Sequence, residues 1–202
     1  MQGGVKSGSL TYRQQQAEAT KVRIAESARE LFATDGYGAT SMEAIATQAG
    51  VATRTVYAAF GAKREILNLI CERWLEQADA RGLAQDVLAR ADAISRLRGA
   101  AHWLTVLYST DFDVARILDS AVDEDAETRA LLQGKLRGRN HVMDQLITSA
   151  RDELSIPLAD ARAIFRALGA TGVYGELVQT AGWTPQRFET WLGNALVTEL
   201  TT

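Results

Sequence analysis

The run Gly36-Tyr37-Gly38-Ala39-Thr40-Ser41-Met42-Glu43-Ala44-Ile45-Ala46-Thr47-Gln48-Ala49-Gly50-Val51 continues at short spacing into Thr55-Val56-Tyr57, Phe60 and Lys63. Thr40 is a suitable N-cap, and Glu43 three residues on completes a capping box. Met42, Ile45, Ala46 and Ala49 then fall on one side of a short helix, which Gly50 ends by admitting a left-handed turn. Val51 plugs the gap between helices, and a second short helix is expected over Thr53 to Phe60. Two short helices joined across a glycine turn result.

Working outward, Ile24, Ala25, Ala28, Leu31 and Phe32 form an apolar stripe at helical spacing, so a helix is expected from about Ala19 to Thr34, with Gly36 closing it. A longer amphipathic helix is expected from Ala62 to about Ala80, carrying Ile66, Leu67, Ile70, Trp74 and Leu75 on one side. Helical patterns continue near 92–109, 113–120, 126–153, 158–180 and 185–200. The last is capped by Thr184, has Pro185 in its first turn, and bears the stripe Phe188, Trp191, Leu192, Ala195 and Leu196. Only Pro157 and Pro185 interrupt the chain, and no segment alternates as a strand does. The expected fold is all-α.

The 202 residues are 47% hydrophobic, enough to bury a core of one large or two small domains. The first twenty residues are polar, and no apolar run approaches the roughly 18 residues of a membrane span. No membrane partner and a cytoplasmic location are therefore expected. Cys71 is the single cysteine, which excludes an internal disulfide and a cysteine-based zinc site within one chain. Net charge is -3, but residues 1–65 hold 8 Lys/Arg against 6 Asp/Glu, leaving a more acidic remainder. A basic head on an acidic body fits a protein that presents one end to a polyanion.

The Gly36–Val51 run with Thr55, Val56, Tyr57, Phe60 and Lys63 resembles the DNA-binding pattern of the TetR/AcrR family of bacterial transcriptional regulators. The resemblance spans about residues 19 to 67, and Gly182-Trp183-Thr184-Pro185 with Phe188 and Trp191 looks like a C-terminal pattern of some members. It implies a flexible arm over 1–18, a helix-turn-helix domain over 19–66, and a helical effector-binding and dimerisation domain over 67–202. In such a head the second short helix enters the major groove and flanking groups hold phosphates. Thr53, Arg54 and Ala59 are the expected base contacts. Arg54 can donate twice to guanine, or alternatively clamp a phosphate, and the alanine methyl can touch thymine. Thr40, Thr55, Tyr57 and Lys63 are the expected phosphate contacts, although capping alone would explain Thr40 and core packing would explain Tyr57. Ala52 stands where many members carry Ser or Thr, so Thr53 is a possible replacement cap with a shifted register. Lys6 and Arg13 in the N-terminal tail, with Lys21 and Arg23 just beyond it, would let it follow the DNA backbone or minor groove; an inert tail explains them equally well.

A head with few base contacts needs a partner subunit on a palindrome. The small residues Ala163, Ala167 and Ala170, with Phe188, Trp191, Leu192 and Ala195, form the expected homodimer interface. His102, Trp103, Leu107, Tyr108, Phe112, His141, Met143 and Leu146 are candidate linings for a small apolar or aromatic effector, and equally fit ordinary core. No cofactor, metal or enzymatic activity is expected, because His102 and His141 lack metal-ligand spacing and the acidic run Asp119, Asp123, Glu124 and Asp125 reads as a solvated helix start. An activator of the same fold, or a helical protein-binding adaptor, are the alternatives to a repressor.

Overall fold

The computed structural model describes residues 11–121 and 125–201, and all regular structure among them is helical. The chain divides into two compact units between Ile70 and Cys71. No described helix is long and apolar enough to cross a membrane.

In the N-terminal unit, α1 (Tyr12–Thr34) begins well before the expected Ala19. Thr11 and Gln14 form a reciprocal capping box, in which each side chain serves the other's backbone N–H, and this fixes the earlier start. Residues 12–18, expected as arm, are thus helical and exposed; residues 1–10, with Lys6, lie outside the described residues. The helices α2 (Met42–Gln48) and α3 (Thr53–Phe60) follow, joined through Gly50, whose φ of 64° is a left-handed conformation that costs other residues more. Ile24, Ala28 and Phe32 of α1, Ile45 of α2, Val56 of α3 and Ile66 and Leu67 of α4 (Lys63–Gln77) are all buried and make up this unit's core. Burying seven such side chains is the main force holding the four helices together, since α2 and α3 are too short to be stable alone.

The C-terminal unit contains a helix over Ala80–Leu88 that the sequence pattern, which places no helix between about residues 80 and 92, does not indicate. After Gln77 the chain reverses at Asp79, which takes a left-handed φ of 44° and caps α5 (Ala80–Leu88) by accepting from the Gly82 amide. A Cβ on Gly82 would lie 2.3 Å from that carboxylate, so the cap requires glycine there. The central element is α6 (Ala93–Thr110), which packs most extensively on α11 (Pro185–Thr201) and also touches α5, α7 (Phe112–Ser120) and α8 (Ala126–Thr148). Its residues Leu97, Ala100, Ala101, Trp103, Leu104, Leu107 and Tyr108 are buried.

The expected single helix over 158–180 is instead three pieces: α9 (Leu158–Leu168), α10 (Thr171–Tyr174) and a π-helical turn over Gly175–Thr180. The break has a packing cause. At Gly169 a Cβ would stand 2.5 Å from Leu104 and 3.1 Å from Met143, and the Gly169 carbonyl accepts a 2.8 Å hydrogen bond from the Tyr108 hydroxyl. The backbone is drawn against α6 by a bond that a continuous helix would not leave available. The final helix starts as the sequence implies, with the Thr184 hydroxyl accepting from the Arg187 amide and Pro185 in the first position.

Candidate nucleic-acid interface and ligand cavity

The helix α3 is held by one buried side chain, Val56, and turns Arg54, Tyr57 and Ala58 outward. Spacings of three and four residues put these three on one face. Tyr57 is 48% exposed, which makes its hydroxyl available beyond the protein surface rather than part of the core. Ala52 is the N-cap although its side chain offers no hydrogen bond, and the helix begins at Thr53 without a register shift. Thr53, Thr55 and Ala59 are half-buried at the sides of the exposed face. The alanine beside Arg54 is therefore Ala58, four residues on; the helical period alone identifies it, whereas the expected Ala59 lies further round toward Val56.

Two expected phosphate contacts are turned inward. Ser41, not Thr40, caps α2: its hydroxyl accepts from the Ala44 amide at 3.0 Å. Thr40 is 4% exposed and donates its hydroxyl to the Gly36 carbonyl at 2.8 Å, so it closes the turn between α1 and α2. The side chain of Lys63 reaches back over the Tyr37 ring, 4.3 Å from its centroid, and donates to the carbonyls of Tyr37 and Thr40 at 2.5 and 2.9 Å. Tyr37 in turn packs on Phe32 with ring centroids 4.9 Å apart. These contacts make Lys63 a clasp on the α1–α2 corner that orients α2 and α3 against α1.

Residues 24–70 match the family model described as bacterial regulatory proteins of the tetR family. The match places the N-terminal helix-turn-helix head with the DNA-binding domain of that family. The chain's fold is shared with solved structures along nearly its whole length. FadR from Bacillus subtilis in complex with stearoyl-CoA superimposes with a TM-score of 0.72 at 21% identity, covering 88% of this chain and 98% of that one. NalD, the secondary repressor of the MexAB-OprM multidrug efflux pump in Pseudomonas aeruginosa, gives 0.71 at 22% identity over 93% and 98%. SmeT in its triclosan complex gives 0.71 at 19% identity over 91% and 92%. No curated protein sequence matches the chain.

The C-terminal unit encloses a cavity of about 1020 Å³ between α4, α5, α6, α7 and α8. Trp74, Trp103, Leu107, Ala115, Leu118 and Leu132 supply apolar wall, and Arg139 is among the polar residues that reach it. Of the eight residues expected to line a pocket, Trp103 and Leu107 do so. Tyr108, Met143 and Leu146 are buried core, with Tyr108 edge-on to Phe112 at 5.9 Å and tilted on Tyr174 at 5.1 Å. His102 faces α11, where its Nδ1 lies 3.1 Å from the Glu189 carboxylate. His141 lies on a separate groove with Asp144, Thr148 and Arg162. Sequence periodicity could not separate these cases, because cavity wall and core are both apolar on the same helices.

The expected dimer residues also divide. Phe188 and Leu192 are fully buried within the protomer, and so cannot face a partner. Ala163 and Ala167 of α9 are exposed, while Ala170, Trp191 and Ala195 are half-buried. The Trp191 ring packs on Phe188 and Trp183, and Arg187 lies 4.0 Å over the Trp183 ring. Stripe position alone did not tell which side of α11 meets α6.

Proposed function

We propose that the protein is a homodimeric repressor that binds a palindromic operator and is released from it by a small apolar or aromatic ligand. The observation that carries this reading is the outward face of α3, where Arg54, Tyr57 and Ala58 stand clear of the protein on a family-typical head. Arg54 reads guanine, the Ala58 methyl touches thymine or the sugar wall, and the Tyr57 hydroxyl and Thr55 hold phosphates. With so few groups per head, sequence-dependent DNA shape and a second head supply the remaining specificity. Exposed Ala163 and Ala167 of α9, with half-buried Trp191 and Ala195 of α11, are the proposed contact between subunits.

The ligand cavity supports regulation by a small molecule, in keeping with solved structures of the same fold that hold stearoyl-CoA and triclosan. A ligand releases DNA only by binding more tightly to a state whose heads no longer match the operator spacing. The test is selection of bound sequences from a random duplex pool by the full chain, with affinity then measured at several salt concentrations. Enrichment of a palindrome and a steep salt dependence are expected. Failure to enrich any inverted repeat overturns the reading.

A further inference from the structure

Among the residues that line the cavity is an arginine, Arg139, with an unsatisfied hydrogen-bonding group. The Nε of Arg139 is buried and has no hydrogen-bond partner among the described residues. Its guanidinium is held by another nitrogen, which donates to the Tyr108 hydroxyl oxygen at 3.3 Å, while that hydroxyl donates its own hydrogen bond to the Gly169 carbonyl. Burial pushes the Tyr108 phenol pKa up, so the phenol stays neutral and does not compensate the arginine. A buried cationic N–H without an acceptor is costly, and a bound acceptor, best a carboxylate, relieves that cost. The cavity's own acids do not take this place. Glu72, Glu76, Asp79 and Asp119 are all exposed; Glu72 lies 3.6 Å from Lys135, and the Asp79 carboxylate caps α5.

The rest of the wall is shaped for a long apolar body. Trp74 and Trp103 both donate their indole N–H groups to backbone carbonyls, of Leu107 and Ala80, each at 2.8 Å, and so offer the cavity carbon surface. Gly134 and Gly138 stand one turn apart on α8 and both line the cavity. A Cβ at Gly138 would meet nothing within 4 Å, and one at Gly134 only the tip of Arg137 at 4.0 Å, so packing within the protomer does not require glycine at either position. Each weakens the helix relative to alanine, and what they supply is room beside the α8 backbone. Leu88 and Leu136, large apolar side chains that are 40% and 42% exposed, continue the lining to solvent.

We propose that the effector is an elongated amphiphile bearing a carboxylate, with the carboxylate on Arg139 and the apolar body lying along Trp74, Trp103 and the glycine-flattened side of α8 toward Leu88 and Leu136. This rests on the regulator reading for the claim that the cavity has a ligand, and it adds that ligand's chemical class. The test is calorimetric titration of the full chain with dodecanoate, 1-dodecanol and dodecyltrimethylammonium, each below its micelle concentration. Dodecanoate should bind roughly 10- to 100-fold more tightly than the alcohol, the range expected of a charge-assisted hydrogen bond. Arg139→Gln should abolish that preference while retaining alcohol binding. Gly138→Leu should lose all three ligands while keeping its helical circular dichroism, and Gly138→Ala, which strengthens α8, should weaken binding without unfolding.

Equal or tighter binding of the trimethylammonium compound, an unchanged preference in Arg139→Gln, or no binding of any of the three would overturn the proposal. Operator selection is scored independently. A chain that enriches a palindrome but binds none of the three compounds overturns the amphiphile alone. One that binds dodecanoate through Arg139 but enriches no DNA supports the ligand assignment and overturns the regulator reading alone.

Discussion

The ammonium nitrogen of Lys63 lies 2.9 Å from the carbonyl oxygen of Thr40, joining the start of α4 to the turn that precedes α2. Tyr37 shares the same cation through its carbonyl and its ring. Removing the cation in Lys63→Met leaves these carbonyls without their donor, at about 1–3 kcal/mol. Hydrogen exchange at the Gly36–Thr40 amides should accelerate correspondingly. A lysine that only held phosphate would instead lower the salt slope of DNA binding by about one unit and leave exchange unchanged.

Arg54 and Ala58 share the outward face of α3, whereas Ala59 is turned toward Val56. Substitution of Arg54 by Ala should therefore relax base preference at one position in each half-site, at about 1–3 kcal/mol of discrimination. Ala58→Gln should alter the selected motif at a neighbouring position, and Ala59→Ser should leave it as it was. Selection from a random pool with each variant decides the assignment; an altered motif only for Ala59→Ser would place the reading face on the wrong side of the helix.

Leu192 and Ala167, which the sequence places in one interface, should respond differently. Leu192 is fully buried in the protomer, so Leu192→Ala should cost about 2–5 kcal/mol in urea unfolding, as core truncations do. Ala167 is exposed on α9, and Ala167→Arg should dissociate the proposed dimer in sedimentation at micromolar concentration with little change in helical content. A dimer that persists in Ala167→Arg would locate the interface elsewhere.

Acid should first loosen the starts of α6 and α8. The Asp92 carboxyl is held below its ordinary value of 3.8 by hydrogen bonds from Ser95, and that of Asp125 by the Thr128 hydroxyl and then the Thr128 amide. A lowered native pKa contributes stability that is present above the ordinary carboxylate value and is lost as pH falls through it toward the native value. Below about pH 4, therefore, amide protection at Ser95 and Thr128 should decline with falling pH. Asp125→Asn should flatten that dependence at Thr128 and leave Ser95 unaffected.

Local rules settled much of the head. Glycine placement, the Met42–Ala49 periodicity and the Thr53–Phe60 helix are properties of short windows, and the structure keeps all three. Caps were less determinate, because Thr40 and Ser41 are adjacent and chemically alike; the choice went to Ser41 once Gly36 and Lys63 engaged Thr40. Asp79 was invisible for a related reason, since a non-glycine left-handed residue gives little signal before its cap partner Gly82 is known.

What the sequence by itself determined is the all-helical fold, the paired short helices and their family, because helical period and turn chemistry act within a few residues. Tertiary structure alone decided which apolar stripes are core, cavity or outer surface. Leu107 lines the cavity while its neighbour Tyr108 is pinned to Gly169, and Arg139 is confined beside both from a distant part of the chain. Those distinctions depend on contacts between residues dozens of positions apart, and no local pattern encodes which neighbour a buried side chain will meet.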